Sequence, residues 1–355
     1  MSEDSTKNGV ITPRAEVSDD WRAHVGEGDP RSLDLARARE TGRGRDANSP
    51  GEIPARGWFD ILWRVFWAIS DNRIFTVSGG VAFFAVLSVF PGIAAIVSLY
   101  GLFADPGTMG SHLSILAGIL PFGVLQVVAD QITLVSKQGA ETLGAAFAVS
   151  LVIAIASANS GVAALFDALN VVYNEREKRS LLRFYATTFV FTLAGMAFVI
   201  IAIIGVVAMP LILKLVGLET MTERLVSILR WPLLLVAVSV SLAFIYRYGP
   251  SRKDARWRWV SWGSLVAGLL WIAASMLFSW YVATFDSYNR TYGSLGAGIG
   301  FMVWLWISAG IVLLGAQLNA ETEHQTARDS TDGRPKPLGA RGAMMADHVG
   351  KAQNE

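Results

Sequence analysis

The side chains that could do chemistry are few in this chain. Its 355 residues include no cysteine and only four histidines, His24, His112, His324 and His348. Without cysteine there is no disulfide, thiolate metal site or cysteine nucleophile. All four histidines lie in polar stretches. A serine hydrolase buried among apolar segments would therefore lack its base, and Asn159-Ser160-Gly161 reads as helix packing rather than a nucleophile. Neither HExxH nor GxxxxGK[ST] occurs, which removes the zinc-protease helix and the phosphate-binding loop. No pair of carboxylates is embedded in an apolar segment for aspartyl chemistry or a proton relay. The expectation is a non-enzyme, with no catalytic residue, metal or cofactor.

Uncharged polarity remains. Ser160, Asp167, Asn170 and Asn174 recur at spacings of seven, three and four, so they share one helical face, with Asn159 beside it. Polar groups near a membrane need protein or water partners, so this face is either a set of interhelical hydrogen bonds or a substrate-lining surface. A second polar stretch, Asp286 to Ser294, joins two apolar segments. Its Tyr288 and Tyr292 suit an interface belt, and its Asp286 and Arg290 could pair, as a tight turn or as a gate.

The elements that must hold these residues are apolar. Hydrophobic residues make up 52% of the chain and charged residues 17%, against about 25% charged in a soluble domain. Six segments are long enough to span a bilayer: 74–104, 142–166, 184–213, 231–246 with its flanks, 259–285 and 291–320. Residues 56–73 carry Trp58, Ile61, Leu62, Val65 and Ile69 at helical spacing, interrupted by Asp60 and Arg64, and read as an interfacial amphipathic helix. Residues 113–129, broken by Pro121, read with the amphipathic stretch after them as short interfacial or re-entrant helices. Residues 1–55 and 321–355 are polar without periodicity and read as disordered tails.

Charge sets the topology. Of 30 Lys and Arg residues, 25 fall before the first span, in the second and fourth loops and in the C-terminal tail. Six spans with both termini cytoplasmic place all 25 on the inner side, whereas a seventh span at 113–129 would move both basic loops and the C-terminal tail outside. The sixth span opens with Gly293, Gly296 and Gly300, a packing signal whose GxxxG step serves a dimer or an internal contact equally well, so oligomeric state is open. Pro91 should kink or break the first span. The inner loop 247–258 interleaves Arg and Lys with Trp257 and Trp259. Beside membrane spans this points to anionic lipid headgroups rather than nucleic acid.

Several ordered motifs resemble the YihY/BrkB family. They are Ala82-Phe-Phe-Ala85 ahead of Pro91, Ser157-Ala-Asn-Ser-Gly161 followed by Asn170 and Tyr173, and Phe244-Ile-Tyr-Arg-Tyr-Gly-Pro250. Further along come Trp271, Phe278-Ser-Trp-Tyr281, Tyr288-Asn289, Tyr292-Gly293-Ser294 and Gly315-Ala-Gln-Leu-Asn-Ala-Glu321. The resemblance covers about residues 58 to 324 and implies a multi-pass bacterial inner-membrane protein with both termini cytoplasmic. The family carries an old ribonuclease BN label, a virulence label and a link to lipid export. This chain departs from it at Gln317, where a glutamate is usual, and at Trp262, where a proline often precedes the glycine. The combined expectation is an all-α polytopic membrane protein that moves a lipid or other amphiphile, with a membrane scaffold or envelope factor as the alternative and a ribonuclease last. Asn159, Ser160, Asp167, Asn170, Tyr288, Tyr292 and Gln317 would line or gate its path, and Gly293, Gly296, Gly300 and Pro91 would shape the packing.

Overall fold

The computed structural model describes residues 30–103, 140–215, 221–284 and 294–353. These form helices throughout: α1 Pro30–Ala38, a 3₁₀ turn Pro50–Glu52, α2 Ala55–Asp71, α3 Ile74–Phe103, α4 Ala140–Val172, α5 Leu181–Leu215, α6 Met221–Tyr248, α7 Trp257–Thr284, α8 Ser294–Gln325 and α9 Met344–Asp347. Among the described residues the β pairing amounts to one antiparallel bridge, Ala255 with Thr331.

Five helices are long and apolar enough to cross a membrane, at Ile74–Ala95, Gly144–Val172, Leu181–Phe198, Trp257–Val282 and Gly298–Gln325. The apolar part of α6 is shorter, Pro232–Tyr248, because Glu223, Arg224 and Arg230 precede it. At 1.5 Å per residue that part is still about 25 Å long, close to a hydrocarbon core. α3 packs along α4 and α8, α8 along α7, and α7 along α6, while α5 leans on α4 and α2 lies against α8. Pro91 does not break α3, which runs through it as one helix. The segment 113–129 lies outside the described residues.

Helix ends follow local chemistry. Asn174, at φ 53°, closes α4 in the left-handed region that Asn tolerates, and the Glu175 N–H reaches back to the Asn170 carbonyl at 2.7 Å. Gly249-Pro250 stops α6, and a Cβ at Gly249 would sit 2.6 Å from Leu169 Cδ1. Arg73, at φ 49°, makes the turn between α2 and α3.

The two ends of the described chain correct the sequence expectation of disordered tails. Residues 33–54 and 326–353 pack against one end of the bundle, with Arg45, Thr326, Ser330, Thr331, Arg341 and Val349 buried. They also join each other. The Ala327 N–H donates to the Arg45 carbonyl at 2.7 Å, and the Thr326 hydroxyl donates to the Ala47 carbonyl at 2.7 Å. Much of what these segments bury is polar and the buried apolar residues are scattered, so hydrophobic periodicity could not announce them. Their ordering rests on guanidinium–carbonyl and carboxylate–amide bonds. Residues 1–29 lie outside the described residues.

The buried core clusters at that same end, around Phe166, Leu169 and Tyr173 of α4, Leu242 and Tyr246 of α6, Val260 of α7, and Leu313 and Ala316 of α8. The outward faces are apolar: Val152, Val190, Leu269, Leu277 and Met302 are all exposed. Such a surface is unsustainable in water and is required in lipid.

Candidate functional site

The expected polar stripe on α4 divides in two. Asn170 turns inward and is buried. Its Oδ1 accepts the Ser251 N–H at 2.7 Å and its Nδ2 donates to Glu177 Oε2 at 3.0 Å. It therefore ties the loop after α4 to the loop after α6. Ser160 bonds back to the Ala156 carbonyl at 3.0 Å within its own helix. Asn159 accepts from the Thr192 hydroxyl at 3.3 Å, linking α4 to α5. Asp167 stays on the exposed face with Val171, and among the described residues no hydrogen bond or ion pair reaches it, although Glu177 and Arg179 lie within electrostatic range.

Arg179 organises the corner where α4 ends and α5 begins. Its guanidinium lies over the Phe166 and Phe184 rings, donates to Glu177 at 2.8 Å, and donates to the Gly249 carbonyl at 2.8 Å. Burial alone would raise the Glu177 carboxyl. Hydrogen bonds from the Arg179 side chain and backbone, from Asn170 and from Ser251 outweigh it and hold the group down at about 2.

A second cluster lies where α2 crosses α8. Gln317 is buried, accepts from Asn72 Nδ2 at 2.8 Å and donates to Glu321 at 3.2 Å. Arg64 donates to Glu321 Oε2 at 2.6 Å, to Gln325 Oε1 at 2.7 Å and to the Lys351 carbonyl at 2.7 Å. Beside it, Arg252 and Glu323 form a fully buried bidentate pair at 2.7 and 2.9 Å, with the Arg252 guanidinium 4.2 Å from the Tyr173 ring centre. Burial alone would lower the Arg252 guanidinium, and the Glu323 carboxylate more than offsets it. The Ser330 hydroxyl also donates to Glu323 at 2.8 Å.

Sequence reasoning missed Arg64, Arg252, Glu321 and Glu323 as members of these clusters. The signal was present as an i, i+4 row, Gln317, Glu321 and Gln325, which continues α8 past the point where the apolar run ends. The basic loop 247–258 was read as facing lipid headgroups. Two of its arginines turn inward instead: Arg247 pairs with Asp332 at 2.8 Å, and Arg252 pairs with Glu323.

Tight helix contact also falls away from the expected glycines. A Cβ on Gly263 would overlap the Gly315 carbonyl, and one on Gly315 would come 2.5 Å from Tyr246 Oη. Near Gly300 the first neighbour is the Phe278 ring at 3.9 Å, an ordinary contact. Tyr288, Tyr292 and Gly293 lie outside the described residues, as do the surroundings of Gly296.

Among the described residues no group of three or more His, Asp or Glu side chains is placed to hold a metal ion. The polar residues at this end bind one another and brace the bundle.

Comparison with known proteins places these features in a family. The model of the family described as Virulence factor BrkB matches residues 65–338. The chain is similar to a protein of Bacillus subtilis named putative ribonuclease-like protein YfkH, at 27% identity over 68% of this chain and 88% of that one. It is similar to the UPF0761 membrane protein MS0032 of Mannheimia succiniciproducens, at 25% identity over 73% of this chain and 88% of that one. A UPF0761 membrane protein of Alkalilimnicola ehrlichii shares 32% identity over 34% of this chain and 27% of its own length. No solved structure matches the chain.

Proposed function

The chain belongs to the virulence factor BrkB family of multi-pass bacterial membrane proteins, and from that premise we propose that it moves or exports a lipid or other amphiphile across the inner membrane. One observation carries this reading. Asp167 is an exposed carboxylate without a hydrogen-bonding partner among the described residues, on the outward face of a segment otherwise apolar enough to span. A charge placed so near the hydrocarbon is costly and is retained where a ligand or water meets it. It lies just inside the Arg179 corner, near the end of the span Gly144–Val172, and Asn159 lies two turns further along the same helix.

Headgroup-labelled lipid in proteoliposomes tests the reading, with an unrelated six-span protein as control. Quenching beyond the protected half of the label supports lipid movement. Asp167→Asn and Asn159→Leu should then lower its rate at unchanged membrane abundance. Wild-type rates in both variants would remove these residues from the path. No excess quenching would favour the second reading, a membrane scaffold. That reading has its own support in the buried Arg252–Glu323 pair and the folded terminal segments, which brace one end of the bundle. The ribonuclease name belongs to the Bacillus subtilis relative, and metal-dependent RNA cleavage by the purified chain would be its test here.

A further inference from the structure

Helix α2 turns two charged residues inward and an aromatic face outward, while Ile61 is buried and Trp58, Val65 and Ile69 pack inward beside it. Gly57, Asp60, Ile61 and Arg64 make its buried side, whereas Phe59, Leu62 and Phe66 on the opposite side are 58%, 55% and 67% exposed. Trp67, at the edge of that side, is 54% exposed and meets Phe66 edge-on at 5.7 Å. A helix on a water-soluble protein turns its charges out and does not leave a run of large apolar side chains more than half exposed. The buried charges are paired with the chain itself. Asp60 accepts from Arg43 at 2.7 and 2.9 Å and from the Gln353 N–H at 3.0 Å, and Arg64 binds Glu321 and Gln325. Gly57 lets the helix lie close, since a Cβ there would overlap the Arg43 carbonyl. The polar side of α2 is thus fastened to the terminal segments, and its aromatic side is turned out.

Continuity identifies what covers that side. α3 begins directly after the Asn72–Arg73 turn, and its own outward residues Phe75, Phe83, Leu87 and Phe90 are exposed along the span Ile74–Ala95. The aromatic side of α2 therefore runs into the surface that faces acyl chains. Arg56 and Arg73, both exposed, sit at its two ends, where phosphates of a headgroup layer would lie. We propose that α2 is a lipid-docking surface. It lies in the interface of the leaflet next to the chain's terminal segments, with Phe59, Leu62 and Phe66 inserted among the acyl chains and Arg56 and Arg73 at headgroup level. The α2 surface stands whether or not the protein transports anything, and it is separate from the Asp167 corner.

The absence of cysteine makes the test direct. Leu62→Cys and Phe66→Cys each carry an environment-sensitive fluorophore in the full-length protein, and exposed Glu52→Cys is the control. The proteins are placed in phosphatidylcholine–phosphatidylglycerol vesicles. Labels at 62 and 66 should be quenched several-fold more strongly by shallow brominated acyl chains than the label at 52, and several-fold less by aqueous iodide. Iodide quenching equal to that at 52 overturns the proposal. So does shielding from both quenchers with self-quenching between labelled copies, which would assign this side to a second copy of the chain. Circular dichroism melts matching wild type confirm that each labelled variant is folded. Both substituted side chains are outward, so either position alone decides the matter.

Discussion

Asn170 and Asp167 are three residues apart on α4, and their fates show what sets a polar side chain's role here. Asn170 has every partner it needs and works as a brace, while Asp167 has none among the described residues and is open to a ligand. The sequence placed both on one face because spacing alone cannot separate positions 60° apart. Arg252 and Glu323 were illegible for another reason: their pairing joins a loop to a helix end 71 residues away. Removing one partner of a buried pair leaves an uncompensated charge. Arg252→Met should therefore cost about 3–5 kcal/mol of stability, read as a loss of thermal stability in detergent. The double variant Arg252→Met/Glu323→Leu should recover most of it. Glu177 supplies a pH-dependent test. Its folded-state value, about 2, lies below the ordinary 4.5, so its contribution is complete above about pH 4.5 and is lost as pH falls toward 2. The melting-temperature gap between wild type and Glu177→Gln should be widest at neutral pH and close across that window. A gap that is constant with pH would mean that the ionised carboxylate is not what stabilises this corner.

At the scale of elements, the spans were the most legible part of the chain. Each expected apolar segment coincides with a helix, since twenty uncharged apolar residues have few alternatives. Helix contacts were less legible, because glycine spacing reports the capacity for close approach and not its place. Gly296 and Gly300 carried the pattern, yet the described close crossing of α7 and α8 is at Gly263 and Gly315. There Tyr246 Oη also donates to the Val312 carbonyl at 2.7 Å. Gly263→Ala should push the two backbones apart and cost at least about 1–3 kcal/mol, seen as reduced folded yield and melting temperature. Gly298→Ala is the control: nothing lies within 4 Å of its Cβ, so it should be neutral or gain up to about 1 kcal/mol of helix propensity. Equal losses from both would show that the Gly263–Gly315 crossing is not a special contact. The continuation of α8 to Gln325 was lost at sequence level because hydropathy ends before the helix does. The polar row Gln317, Glu321, Gln325 then carries it, supported by Arg64 and Asn72.

At the scale of the whole molecule, hydrogen bonding constrains topology without counting charges. The segments 33–54 and 326–353 bond to each other, and the loops after α4 and α6 meet through Asn170 and Ser251. The second of those loops also joins the C-terminal segment, where the Arg256 N–H donates to the Ser330 carbonyl at 2.9 Å. All four stretches therefore share one end of the bundle. Described terminal segments that share one end require an even number of crossings between them, which agrees with α3 to α8 as six crossings. That same end holds most of the basic residues, so the positive-inside rule predicts that it faces the cytoplasm. Much of this positive charge is paired internally, as Arg64, Arg247, Arg252 and Arg341 show, so here it holds the fold as well. Exposed Lys336 and the α7–α8 connection at Arg290 make the decisive pair of positions for a label. In intact spheroplasts a membrane-impermeant maleimide should modify Arg290→Cys and leave Lys336→Cys untouched, and permeabilisation should expose Lys336→Cys. Labelling of both before permeabilisation would break the even-crossing argument. The reversed pattern would keep the six crossings and overturn the assignment of the polar end to the cytoplasm.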